Sequence, residues 1–454
     1  MKALILMLCF IVAVVPVRYV AVLLPTLWTV QRLALEPHEV PFNIGPVPVS
    51  PVDFVVLILL AKFLFEMLCK RALVADRNLY AAIAIFLAVN LLATFAAGAK
   101  FGPSQFSRCL ASWVRLCLEI AVVPITAQAI KTLPQARRCL WILFATVGVL
   151  AAIQFINFFG ASHGITIGEV QGIERGEVRY FGPVGDSVGF VLLLGYLAAL
   201  CFGRLVLAGV FLGAIALTAG LGAIFAATVG TALFLLFSRH APAFGASVRR
   251  SAWMLPALVL GGIVAGVFYA RPAIGPLLDR LAAGSYESSG SQRLASASVA
   301  QAMILDNPML GVGYLGYQTV LDRYGGAKVF NLEKLDGSTA NANNQFLQAL
   351  TDSGLIGFAA FILLIFCAAR SLLKVAMHRE EAFVSTLYLA AFLWLLSQVF
   401  GNLAAVWLIP SFGARLLWLL LGIGVAASRL LTESESREPA PAQSAASETQ
   451  VSIA

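Results

Sequence analysis

The chain reads as a series of apolar runs separated by short polar connections. A helix that crosses a bilayer needs roughly 20 apolar residues. On that ruler the sequence predicts spans near 3–24, 53–69, 79–97, 109–130, 139–159, 187–203, 205–220, 222–238, 252–270, 354–372, 384–404 and 407–427. The expected fold is therefore all-α, a polytopic integral membrane protein of about 12 transmembrane helices. The stretch 205–238 is the hardest to divide, because Gly220 and Gly222 mark either a tight turn or a broken helix. Met1-Lys2 and the apolar residues after them resemble a signal peptide. No small-residue cleavage site follows and the run resumes past Arg18, so a retained first span is predicted.

Two connections break the pattern, one from about Gly160 to Asp186 and one from Arg271 to Ser353. Loops as long as the second are usually functional, and it holds helix-like stretches at 291–305 and 343–352. The expected organisation is an N-terminal bundle of about nine spans (1–270), a large outer loop with short helices (271–353) and three C-terminal spans (354–428). The remaining 429–454 is rich in Ser, Glu, Ala and Pro, cannot build a core and is expected to be disordered. No internal repeat is visible.

Charge orients the spans. Lys70/Arg71/Arg77, Lys131/Arg137/Arg138, Arg239/Arg249/Arg250 and Arg370/Lys374/Arg379 all fall on one side. The positive-inside rule puts these clusters, and both termini, in the cytoplasm. Both long connections then lie outside. With 60% hydrophobic and 12% charged residues, against about 25% charged in soluble domains, a soluble fold is excluded. The formal charge of +8 reports topology, and nucleic-acid binding is not expected. The seven cysteines lie mostly in apolar runs or at their ends, and the four histidines are scattered singly. Neither a disulfide framework nor a metal site is expected, and no cofactor.

Four basic residues fall inside predicted spans: Arg18, Lys62, Arg115 and Arg415. Lys62 and Glu66, and Arg115 and Glu119, are spaced to neutralise each other along one helix face. Arg18 and Arg415 have no such neighbour and read as facing a polar cavity or snorkelling to the interface.

The chemistry-bearing text is DNPMLGVGYLGYQ from Asp306, and then ANNQFLQALTDSGLIGFAAF running into the tenth span. Pro308 pushes Asn307 out of the α region and so ends a helix. Gly311 and Gly313 permit sharp turns or close backbone approach. Asn343, Leu347 and Leu350 share one helix face, and Gly354 suits the C-terminus of that helix just before the span. The prediction is a short helix at the membrane surface with Asn343 and Asn344 at its tip.

These residues resemble the O-antigen ligase and Wzy-type polymerase superfamily. Its signature is D-x-P-x-x-G-x-G in a large periplasmic loop, followed by H-N-x-x-L-x-x-L-x-x-x-G-x-x-G entering a span. The first half appears as Asp306, Pro308, Gly311 and Gly313, the second as Asn343, Asn344, Leu347, Leu350, Gly354 and Gly357. Two further family features appear as Arg179-Tyr180-Phe181-Gly182-Pro183 and as Arg293, about a dozen residues before Asp306. The resemblance covers roughly residues 175–360 in motif.

What it implies is glycosyl transfer from an undecaprenyl diphosphate-linked glycan donor to the hydroxyl of an acceptor glycan or lipid A-core, in the lipid bilayer and without metal. Diphosphate is a good leaving group, so cationic stabilisation of the departing charge is the main requirement, and arginine suits it. Arg179 and Arg293 are the candidate phosphate ligands, with Arg175, Arg271 and Arg280 behind them. Tyr180 and Asn344 are candidate substrate contacts. The family's histidine, which activates the acceptor hydroxyl, is Asn343 here. An amide cannot act as a base, but it can orient a hydroxyl or bind a sugar. The base then falls to Asp186, Glu174, Glu177 or Asp352, or the reaction leans on leaving-group stabilisation. Asp186 is preferred because it sits in the Arg179 turn; its plainer role is a helix N-cap. A second departure is Thr218-Ala219-Gly220-Leu221-Gly222, where many relatives carry Ser-Arg-Gly.

The expected activity is polymerisation of O-antigen, capsule or exopolysaccharide repeat units at the periplasmic face of a bacterial inner membrane. A ligase that transfers finished glycan to lipid A-core or protein is the close alternative, and loss of the histidine weighs most against it. A lipid or glycan transporter would be expected to show internal repeats. An inactive scaffold is the reading that Asn343 alone would prompt.

Overall fold

A computed structural model describes residues 42–44, 47–49, 51–70, 76–167, 169–171, 179–182, 188–218, 221–238, 289–325, 341–378, 381–403, 406 and 412–435. The predicted spans near 3–24 and 252–270, together with Arg18, Glu174, Arg175, Glu177, Asp186, Arg271 and Arg280, lie outside the described residues. The helices are α1 (Pro51–Lys70), α2 (Arg77–Phe101), α3 (Pro103–Ala129), α4 (Leu133–Gly160), α5 (Val188–Cys201), α6 (Leu205–Leu217), α7 (Leu221–Ser238) and α8 (Ser289–Asp306). They continue with α9 (Tyr317–Val320), α10 (Gln345–Ala376), α11 (Ala382–Gly401) and α12 (Phe412–Glu435). Two antiparallel ribbons accompany them, β1 (Phe42–Ile44) with β2 (Val47–Val49), and β3 (Glu169–Gln171) with β4 (Arg179–Gly182).

The protein is a helical, polytopic membrane protein, as its apolar runs predict. Among the described residues six helices are long and apolar enough to cross a bilayer: α2, α3, α4, α10, α11 and most of α12. Shorter apolar helices lie within α1, α5, α6 and α7. In the 205–238 region α6 has 13 residues and rises only about 20 Å, less than the ~30 Å hydrocarbon core. Of the tail expected to be disordered from 429, residues 429–435 are helical, as the end of α12; 436–454 lie outside the described residues.

The core centres on α5 and α11. Every residue of α5 is buried, and Trp394 Nε1 and Gln398 Nε2 of α11 donate to the Phe190 carbonyl at 2.7 and 3.0 Å. A second seam joins α12 to α3, where Gly422 lets the two backbones close up: a Cβ there would stand 2.8 Å from the Val123 carbonyl oxygen. Small residues at such crossings are what bring helices together where lipid offers no hydrophobic drive.

The same seam corrects the expectation for Arg415. Its guanidinium is buried and meets Glu119 of α3, with Nε and Nη2 each 3.0 Å from Oε1. Arg115 keeps the looser contact that its spacing predicts, 4.0 Å from the same oxygen. Arg415 finds its counter-ion on a neighbouring helix, which no count along its own helix reveals.

The ends of the bundle can be assigned to one side or the other. Lys100, at the end of α2, reaches Asp306 at the end of α8. The turn from α3 to α4 lies at the opposite end, where Arg429 near the end of α12 donates to the Ile130 carbonyl at 3.0 Å. The end of α4 and the start of α10 therefore share the Asp306 end.

Candidate active site

The two halves of the signature are joined through their backbones. Helix α10 is broken at Gly354, which has φ 63 and ψ −166. In an intact helix Leu355 and Ile356 would donate to Thr351 and Asp352. Here they donate to the carbonyls of Pro308 (2.8 Å) and Met309 (3.3 Å), while Val312 and Gly313 donate to Thr351 (2.9 Å) and Asp352 (2.8 Å). The loop after α8 thus supplies partners to these four groups at the break. Unsatisfied, each would cost several kcal/mol at membrane depth. The glycines follow from this. Gly311 has φ 66 and Gly313 φ 98; a Cβ on Gly311 would run into the Thr351 and Asp352 backbone, and one on Gly354 into Met309.

Asp306 and Asp352 pin the splice from its two sides. Asp306 Oδ2 accepts from Tyr324 OH at 2.6 Å and Lys100 Nζ at 2.9 Å, and Lys100 also reaches Asn307 Oδ1 at 2.7 Å. The Tyr324 hydroxyl and then the Lys100 ammonium hold the Asp306 carboxyl below its ordinary pKa. Asp352 is buried. It accepts from Gln348 Nε2 at 2.9 Å on each oxygen. Gln348 Oε1 in turn accepts from the Ala342 N–H at 2.8 Å. Asp352, one of the alternative bases named above, is therefore anchored through Gln348 to the Ala342 backbone at the tip of α10.

Beside this anchor, Asn90, Tyr314, Gln345, Asp352 and Ser353 line a cavity of about 20 Å³. That is room for about one water, far below the ~300–1,000 Å³ of a ligand pocket. It is an internal feature of the splice rather than a glycan site.

Asn343 stands at the tip of α10 with φ 53. Its Nδ2 donates to Ser296 Oγ of α8 at 3.0 Å, and its N–H donates to Asn341 Oδ1 at 2.8 Å. Ser296 lies three residues after Arg293, which is exposed, so the Arg293 turn of α8 and Asn343 are neighbours. Ser296 was not legible from sequence, because a serine in a helix of alanines and serines looks like surface. Asn344 caps α10: its Oδ1 accepts from Phe346 and Leu347 N–H at 2.9 and 3.0 Å, and its Nδ2 donates to the Leu403 carbonyl at 2.8 Å. Both ends of that amide are occupied by structure.

Arg179 and Tyr180 belong to β4, opposite Gln171 and Val170 of β3. The ribbon follows α4, whose Asn157 fixes the turn by exchanging two bonds with Ile167, at 2.7 and 3.0 Å. It therefore stands at the same end of the bundle as Asn343 and Arg293. Among the described residues no group of three His, Cys, Asp or Glu side chains is placed to hold a metal ion.

A family model described as O-Antigen ligase matches residues 188–362, from the first residue of α5 through the splice into the apolar part of α10. A search of curated proteins found no match. That segment holds Arg293, Ser296, the broken helix and Asn343, and the family supports a membrane glycan-processing role. Through residues 188–362, well under half of its length, the chain is similar to the O-antigen ligase family.

Proposed function

We propose that the chain is a glycosyltransferase of the bacterial inner membrane. It joins undecaprenyl diphosphate-linked glycans at the periplasmic face, and its main reaction is polymerisation of O-antigen, capsule or exopolysaccharide repeat units. The observation that carries this reading is the meeting of Asn343 with Ser296, one helical turn from the exposed Arg293.

In the proposed step the acceptor hydroxyl oxygen attacks the anomeric carbon of the donor. The bond from that carbon to the diphosphate oxygen breaks, and its electron pair leaves with the undecaprenyl diphosphate. Arg293 and Arg179 neutralise the developing charge through paired N–H···O contacts. Asn343 orients the hydroxyl but cannot take its proton. The proton passes to Asp186 and from there to water. Tyr180 lies beside Arg179 on β4 and offers a sugar contact.

Transfer of a finished glycan to lipid A-core or to a protein is the second reading, favoured by the description of the family model as O-Antigen ligase. The test is Arg179→Ala and Arg293→Ala in purified protein. Loss of a charged ligand at the leaving group should lower kcat about 100-fold or more. A scaffold would be indifferent to both changes.

A further inference from the structure

We infer that Ser296 is a positioning residue that fixes the amide of Asn343, so that Asn343 offers its carbonyl oxygen to the acceptor hydroxyl. The inference rests on the glycosyl-transfer reading and adds to it the residue through which Asn343 is set.

Asn343 has φ 53, a left-handed conformation that asparagine adopts more readily than other non-glycine residues. Asn343 is held at its N–H by Asn341 Oδ1, at its Nδ2 by Ser296 Oγ and, one residue on, by the Asn344 cap. Ser296 is well suited to hold it still. It is fully buried, its carbonyl accepts from Tyr317 OH at 3.0 Å, and Val299, Ala300 and Met303 of the same helix lie in the core.

Which end of the amide Ser296 takes decides the chemistry. With Nδ2 turned inward, Oδ1 points away from Ser296. An acceptor hydroxyl can then donate a hydrogen bond to Oδ1, which orients it without taking its proton and leaves a lone pair aimed at the anomeric carbon. The opposite orientation would present an N–H, which would bind the lone pair that has to attack. The same contact sets the spacing between Asn343 and Arg293, because Ser296 and Arg293 are adjacent on one face of α8.

The experiment is steady-state kinetics of the purified full-length protein with an undecaprenyl diphosphate-linked repeat unit. It compares wild type, Ser296→Ala, Ser296→Thr, Asn343→Ala and the Ser296→Ala/Asn343→Ala double variant. Ser296→Ala should lower kcat by about tenfold or more with KM little changed. Ser296→Thr, which keeps the oxygen, should restore it, and Ser296→Ala should cost nothing further in the Asn343→Ala background. Normal kcat in Ser296→Ala overturns the inference while the glycosyl-transfer reading stands. So do losses that multiply in the double variant, or a loss that Thr fails to rescue. A silent wild type overturns the glycosyl-transfer reading, and the role of Ser296 falls with it.

Discussion

The N–H of Gly313 donates to the carbonyl oxygen of Asp352 at 2.8 Å. In an unbroken α10 that oxygen would accept from Ile356, whose N–H goes instead to Met309. The two motifs are thus the two sides of one splice, in which a loop replaces the bonds missing from a helix. This gives a physical reason for the spacing within D-N-P-M-L-G-V-G. Pro308 and Met309 supply acceptors, and Val312 and Gly313 supply donors, across one break.

The splice should tolerate no side chain at its glycines. Gly311→Ala and Gly354→Ala combine a positive φ with a collision against backbone, and each is expected to cost more than ~2 kcal/mol. Gly325 also has a positive φ, 73, but nothing within 4 Å of its Cβ position. Gly325→Ala should cost only about 1 kcal/mol. Thermal unfolding in detergent ranks the three, and equal losses would contradict the splice.

The Glu119–Arg415 pair makes a separate prediction. Removing one member of a buried pair leaves an uncompensated charge and costs about 3–5 kcal/mol. Arg415→Ala should therefore unfold well below wild type. Glu119→Leu combined with Arg415→Met should recover most of the loss, since apolar replacement of both partners is often nearly neutral. A double variant no better than the single would mean that Arg415 does more than balance Glu119.

Acid should loosen the loop from α2. Asp306 is held below its ordinary value of 3.8 by Tyr324 and Lys100. A carboxyl whose folded pKa is depressed stabilises fully above its unfolded value, and that contribution is lost as pH falls through the folded one. Limited proteolysis of the 307–325 segment should show constant protection at neutral pH and rising cleavage below about pH 4. Asp306→Asn should be cleaved more readily at neutral pH and should respond less to acid. An Asp306→Asn profile that overlays wild type would show that the carboxylate does not hold the loop.

The helices were legible because a bilayer demands long apolar runs, and α2, α3, α4, α10 and α11 fall where those runs predict. The end of α8 at Asp306 and the tip of α10 at Asn343 and Asn344 were legible for a local reason, since Pro308 and the Asn344 cap act within a few residues. What escaped depends on partners distant in sequence. Gly354 suggested a helix end, but its backbone conformation is set by Pro308 and Met309. Glu119 finds Arg415 almost 300 residues away, and Ser296 gains meaning only once Asn343 lies against it. The β3–β4 ribbon carries no apolar run long enough to distinguish it from a loop.

The most direct test of the account is the product pattern of purified protein given a defined undecaprenyl diphosphate-linked repeat unit, read by mass spectrometry beside Arg293→Ala. The account predicts a ladder of longer lipid-linked glycans from wild type and about 100-fold less product from the variant. Product only after lipid A-core is added would replace polymerase with ligase. No product from folded protein with either acceptor, or equal ladders from wild type and Arg293→Ala, would contradict the proposed site.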